Sequence, residues 1–159
     1  MNPNLVHAFY GMLELIFVFF IYQRLFNNRP RTAVVIVVLV FLLTAAVLNL
    51  LIGQGTNINS YSFTAQAFIY SVLAVVYFFY LLQHPPVVMI QRFPPFWFNV
   101  GVMVYFSGNL ILFTLTHYLV HQLKNDLMIY WTFHNVLFLF GTGFMCLSLW
   151  MEYRLQKSR

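Results

Sequence analysis

The stretch AVVIVVLVFLL (residues 33–43) contains no polar side chain. In water its many Val and Ile residues would favour a β-strand, but in hydrocarbon the backbone groups must form hydrogen bonds within their own segment, which selects an α-helix. A strand of a transmembrane barrel would instead alternate polar and apolar residues, and this stretch does not. We therefore expect residues 33–52 to form a transmembrane helix.

The composition of the whole chain agrees with this assignment. Of the 159 residues, 62% are hydrophobic, 20% are aromatic and only 7% are charged. A water-soluble domain usually carries about 25% charged residues, so that class is excluded. Because each membrane-crossing helix needs about 20 apolar residues, a helical bundle uses nearly the full length. We expect one transmembrane domain over residues 1–159, with no soluble catalytic or DNA-binding domain.

Apolar runs of crossing length occur five times along the chain. Together they predict an all-α membrane protein, a bundle of five transmembrane helices, at residues 5–22, 33–52, 63–82, 96–119 and 127–151. No basic segment precedes the first run, so a cleaved signal peptide is not expected.

The distribution of charge predicts the orientation of these spans. The formal net charge is +5. If the chain crosses the membrane five times, seven of its eight Lys and Arg residues lie on the same side of the membrane: Arg24, Arg29, Arg31, Arg92, Arg154, Lys157 and Arg159. The other face has only Lys124, near Asp126. By the positive-inside rule we expect the N-terminus outside and the C-terminus in the cytoplasm. Because these cations flank apolar runs, we expect the lipid bilayer as a partner and no nucleic acid.

A Pro-rich connection, residues 83–95, joins the third and fourth spans. It encloses the apolar segment 87–92, which is too short to cross the bilayer. One interpretation is a docking element for a partner. The interpretation that we favour is a Pro-stiffened loop in the cytoplasmic interface, anchored at the headgroup level by Phe93, Phe96 and Trp97.

Glu14 is the only acidic residue well inside a predicted span. A titratable group in hydrocarbon is costly, which makes it a candidate for function. At helical spacing it shares a stripe with His7 and Gly11, and this stripe should face protein. The alternative is that Glu14 is neutral or hydrogen-bonded to a neighbouring helix and only determines packing.

Three histidines could share an outward-facing pocket with Glu14. His117 and His121 have the i, i+4 spacing that lets two imidazoles bind one ion, and His134 on the next span could supply a third ligand. A zinc site would use this set, whereas a haem would use His117 and His134 as axial ligands. We favour neither cofactor, because the spacing also arises by chance and histidines at helix ends commonly lie in the wet interface.

Small residues and amides in the last two spans predict helix packing. Gly101 and Gly108 lie on one stripe, and Gly141 could provide the matching surface on the fifth span. His117 lies on nearly the opposite side of its helix from this glycine stripe. The amides of Asn109 and Asn135 can form hydrogen bonds across helices without any ligand.

The motifs FWFNVG (residues 96–101), YFSGN (105–109), WTFHN (131–135) and LW (149–150) carry a resemblance. From Phe96 onward the chain resembles a group of small, mostly uncharacterised bacterial multi-pass inner-membrane proteins, some of them similar to the membrane parts of histidine-kinase sensory systems. His134 belongs to this pattern, whereas His117 and His121 do not. The resemblance implies a membrane sensor or accessory subunit and names no ligand.

Two functional hypotheses follow. The first is a non-enzymatic membrane sensor or accessory subunit that acts through helix–helix contacts with a partner membrane protein or a second copy, in the bacterial inner membrane. The alternative is an intramembrane metal- or haem-binding enzyme or redox subunit built on the His/Glu cluster. No catalytic residue is assigned under the first hypothesis.

Overall fold

The computed structural model describes residues 3–26, 60–122 and 127–158. These residues form four α-helices: α1 (Pro3–Leu25), α2 (Ser60–Gln83), α3 (Pro94–Gln122) and α4 (Leu127–Lys157), with a single 3-10 turn at Ile90–Arg92. No β-strand occurs among the described residues, so the prediction of an all-helical protein is confirmed. The second predicted span, residues 33–52, lies outside the described residues.

The helices extend past the predicted spans. α3 begins at Pro94, two residues before the predicted start. The first N–H groups of a helix have no partner within it, and proline suits this position because it has no N–H. α4 continues to Lys157 past the predicted end at Met151. Hydropathy marks only the part of a helix that suits hydrocarbon, whereas helical hydrogen bonding continues into polar residues.

Three of the described helices are long and apolar enough to cross a membrane. The segments of sufficient length and hydropathy are Thr64–Gln83, Pro94–Leu112 and Trp131–Lys157, while α1 has a shorter apolar stretch at Ile16–Leu25. These segments support assignment of the chain to the membrane proteins.

The chain divides into two compact units, Met1–Ser62 and Phe63–Arg159. In the first unit, the described helix α1 exposes Phe17 and Phe20 on its surface, and the rings of Phe19 and Phe20 meet edge to face with centroids 5.9 Å apart. The second unit contains α2 from Phe63 onward, α3 and α4.

In the second unit, α3 runs antiparallel to α2. The most deeply buried side chains of α2 recur at alternating spacings of three and four residues, which places them on one face of the helix; they are Ala67, Tyr70, Ala74, Tyr77 and Leu81. The ring of Tyr70 lies 4.3 Å from that of Phe106 on α3, and Asn99 Nδ2 donates to Ala74 O at 2.9 Å. Large aromatic rings and one buried amide therefore join these two helices.

α3 also runs antiparallel to α4. Near the beginning of α3, Ser148 Oγ on α4 donates to Pro94 O at 2.7 Å, and the rings of Trp97 and Phe144 stack with centroids 5.7 Å apart. Since Ser148 is level with Pro94, the last nine residues of α4 project about 13 Å beyond the start of α3.

Candidate functional site

Glycines bring the backbones of α3 and α4 into contact. A Cβ atom on Gly101 would lie 2.7 Å from Gly141 O, and one on Gly141 would lie 2.8 Å from Tyr105 Cβ. At Gly108 an added Cβ would lie 2.6 Å from a terminal methyl group of Leu137. The structure thus places Gly101, Gly108 and Gly141 in one close helix contact, where their missing side chains allow the approach.

A hydrogen-bonded cluster of Tyr105, Asn109 and His134 crosses this contact. Asn109 Nδ2 donates to Tyr105 O at 2.8 Å, and Asn109 Oδ1 lies 2.6 Å from His134 Nδ1. Because an amide oxygen can only accept, Nδ1 of His134 carries the hydrogen of this contact. The Asn109 side chain is fully buried, while His134 is half-buried.

Aromatic rings surround the imidazole of His134. Tyr105 lies 6.0 Å from it, and Trp131 meets it edge to face at 5.9 Å. Phe138 in turn lies 6.0 Å from Tyr105. The hydrogen bond and these rings hold the imidazole in one orientation. In metal sites, the histidine ligand binds the metal through one ring nitrogen and donates from the other to an oxygen atom. His134 donates to an oxygen atom in the same way.

The remaining residues of the predicted polar cluster are placed as follows. Glu14 is half-buried on α1, in the first unit. Asn135 is exposed on α4, beside His134 in sequence but turned away from α3. His117 and His121 lie in α3, and their side chains are outside the described part of the chain.

The helix register separates two of the histidines along the interface. Because His134 lies beside Asn109, His117 is eight residues further along α3, about 12 Å of helix rise. Among the residues that the structure describes, no group of three or more His, Cys, Asp or Glu side chains could hold a metal ion.

Two buried polar residues that join helices are absent from the predicted site. Asn99 is fully buried and binds α2 through Ala74 O, and Ser148 joins α4 to the start of α3. Asn99 and Ser148 could have been predicted from an amide or hydroxyl within an apolar run, which is the pattern that identified Asn109 and Asn135. It identifies a polar group in a span but not the side of the helix on which that group lies.

Comparison with family models, with curated proteins and with solved structures finds no match to this chain.

Proposed function

We propose that this chain is a non-enzymatic, multi-pass membrane sensor or accessory subunit that acts through helix–helix contacts with a partner membrane protein. The observation that carries the proposal is the exposed surface of α4. Among the residues that the structure describes, one side of this helix packs on α3 and most of its remaining side chains are exposed.

Two exposed faces of α4 differ in chemistry. The first, which we call the outer face, carries an amide, two hydroxyl groups and a thiol at helical spacing: Thr132, Asn135, Leu139, Thr142 and Cys146. The second, which we call the lipid face, is wholly apolar: Phe133, Val136 and Phe140. Gly143 borders the outer face, and a Cβ there would meet nothing within 4 Å.

The two faces suit different neighbours. Acyl chains cannot form hydrogen bonds, so the Asn135 amide is costly when it faces lipid, whereas the Thr132 hydroxyl already donates to Met128 O within α4. Amides, hydroxyls and small residues are enriched instead where one transmembrane helix meets another. The lipid face therefore fits acyl chains, and the outer face fits a further helix.

The proposal includes five spans in the bacterial inner membrane, with the N-terminus outside and the C-terminus in the cytoplasm. The contact of Ser148 with Pro94 supports one part of this topology, because it puts Arg92 and the basic end of α4 at the same end of the unit. We propose the localisation and the sensory or accessory role from the sequence motifs of residues 96–150 alone.

The test uses neighbouring positions of α4. A photo-crosslinking amino acid replaces Leu139 on the outer face or, as the matched control, Phe140 on the lipid face; both side chains are exposed. In native membranes we expect a protein adduct from position 139 and only lipid adducts from position 140. The substitution Asn135→Leu should weaken the adduct from position 139.

The mass of the adduct identifies the neighbour. A different membrane protein supports the accessory role. A second copy of this chain alone would replace that role with a homo-oligomer, and a crosslink within the chain alone would contradict the proposal. Lipid adducts alone from position 139, as from position 140, would contradict the proposal.

The alternative, an intramembrane metal- or haem-binding protein, has one observation in its favour. Asn109 Oδ1 accepts a hydrogen bond from His134 Nδ1, and an oxygen atom in this position also orients the imidazole in metal sites. Metal analysis and a visible spectrum of the purified protein test it. A stoichiometric metal or a haem band that is lost in His134→Ala would make this the better-supported function.

A further inference from the structure

The loop between α2 and α3, residues 84–93, exposes a group of apolar side chains. Val88 is fully exposed, and Val87 and Met89 beside it are also exposed. Leu82, in the last turn of α2, is exposed too. These side chains form an apolar tip at the end of a helix pair.

Hydrogen bonds hold the second half of the loop in a defined shape. Trp97 Nε1 donates to Gln91 O at 2.8 Å, across the beginning of α3. The amides of Arg92 and Phe93 donate to Met89 O and Ile90 O, which forms the 3-10 turn. These bonds order the loop from Met89 to the start of α3.

The surroundings of the loop have the chemistry of a membrane interface. The loop joins two antiparallel helices that are both long enough to cross, so it lies where they leave the bilayer. Arg92 is exposed in the loop, and the projecting end of α4 carries Arg154, whose guanidinium carbon lies 3.9 Å from the ring centroid of Trp150. Trp and Arg side chains are typical of the headgroup level.

We infer that this loop is a membrane-interface anchor: Val87, Val88 and Met89 insert among the acyl chains of the adjacent leaflet, and Arg92 lies at the level of the lipid phosphates. Exposed apolar surface is unfavourable in water, and the acyl chains are the nearest apolar phase. The basic side chain of Arg92 suits the anionic phosphates. The inference rests on the proposed crossing of the bilayer by α2 and α3.

The test places one environment-sensitive fluorophore at a time in the full chain. Val88→Cys is made in a Cys146→Ser background, labelled, and reconstituted into vesicles of phosphatidylcholine and phosphatidylglycerol that contain no other protein. Val76→Cys on α2 is the reference for lipid, and Ser158→Cys after α4 is the reference for water; both positions are exposed.

The expected result is an emission maximum at position 88 nearer to that of position 76 than to that of position 158. Lipids with a nitroxide near the headgroup should also quench the label at position 88 more than the label at position 158. If position 76 is in lipid while position 88 matches position 158, the loop is not an anchor and the proposed function stands. If position 76 also matches position 158, the crossing of α2 fails and the inference fails with it.

Discussion

Both the nitrogen and the oxygen of the Asn109 carboxamide form hydrogen bonds. Its nitrogen donates to Tyr105 O within α3, and its oxygen accepts from His134 Nδ1 on α4. An amide fully buried between two helices has no water to replace a lost partner, so the two side chains depend on each other. This mutual dependence can be measured.

We expect Asn109→Leu and His134→Leu each to destabilise the protein. Together they should cost less than the sum of the two single effects, by about 1 kcal/mol of coupling, the typical size for a hydrogen bond between membrane helices. The measurement is a double-mutant cycle on the free energy of unfolding in detergent.

Asn135→Leu is the control for this cycle, because Asn135 is exposed beside His134 and should show no coupling to Asn109. Strictly additive effects of Asn109→Leu and His134→Leu would show that the contact contributes nothing to stability.

At the scale of the helix, the spacing between α3 and α4 depends on what each glycine meets. Gly101 faces the backbone of Gly141, Gly108 faces the end of the Leu137 side chain, and Gly143 faces open space. Backbone cannot move aside without separating the helices, whereas a side-chain end can turn. One added methyl group should therefore destabilise the protein to a different degree at each of the three positions.

We expect Gly101→Ala to cost about 1–3 kcal/mol, the usual range for overpacking. Gly108→Ala should cost less, and Gly143→Ala should cost nothing. Thermal or denaturant unfolding of the three variants in one detergent provides the comparison. Equal losses at positions 101 and 143 would contradict the close contact between α3 and α4.

At the scale of the whole molecule, the placement of charge should determine orientation in the membrane. Arg92 and the basic end of α4 lie at one end of the second unit. From the positive-inside rule we expect this end to lie in the cytoplasm. The orientation should then respond to the removal of these cations.

We expect a cysteine introduced by Ser158→Cys, in the Cys146→Ser background, to be protected from a membrane-impermeant maleimide in intact cells and labelled after lysis. Replacement of Arg92, Arg154 and Lys157 with Gln should produce a mixed orientation with partial labelling in intact cells. Full labelling of the original chain in intact cells would reverse the proposed topology.

The membrane class and the positions of the described helices follow from the sequence by itself. A segment in hydrocarbon must satisfy its backbone groups internally, so a local count of apolar residues is enough to locate a helix. The ends are less certain from hydropathy, as Pro94 and Lys157 show, because helical hydrogen bonding does not stop where the apolar residues stop.

The pairing of side chains was decided only by the tertiary structure. The sequence marks Asn99, Asn109, Asn135 and Ser148 alike as polar groups within apolar runs, yet the first two and Ser148 are buried and Asn135 is exposed. Their burial differs because the packing of neighbouring helices sets the rotation of each helix about its axis. The contact of Gly101 with Gly141 fixes that rotation between α3 and α4, and it brings Asn109 to His134 while turning Asn135 outward.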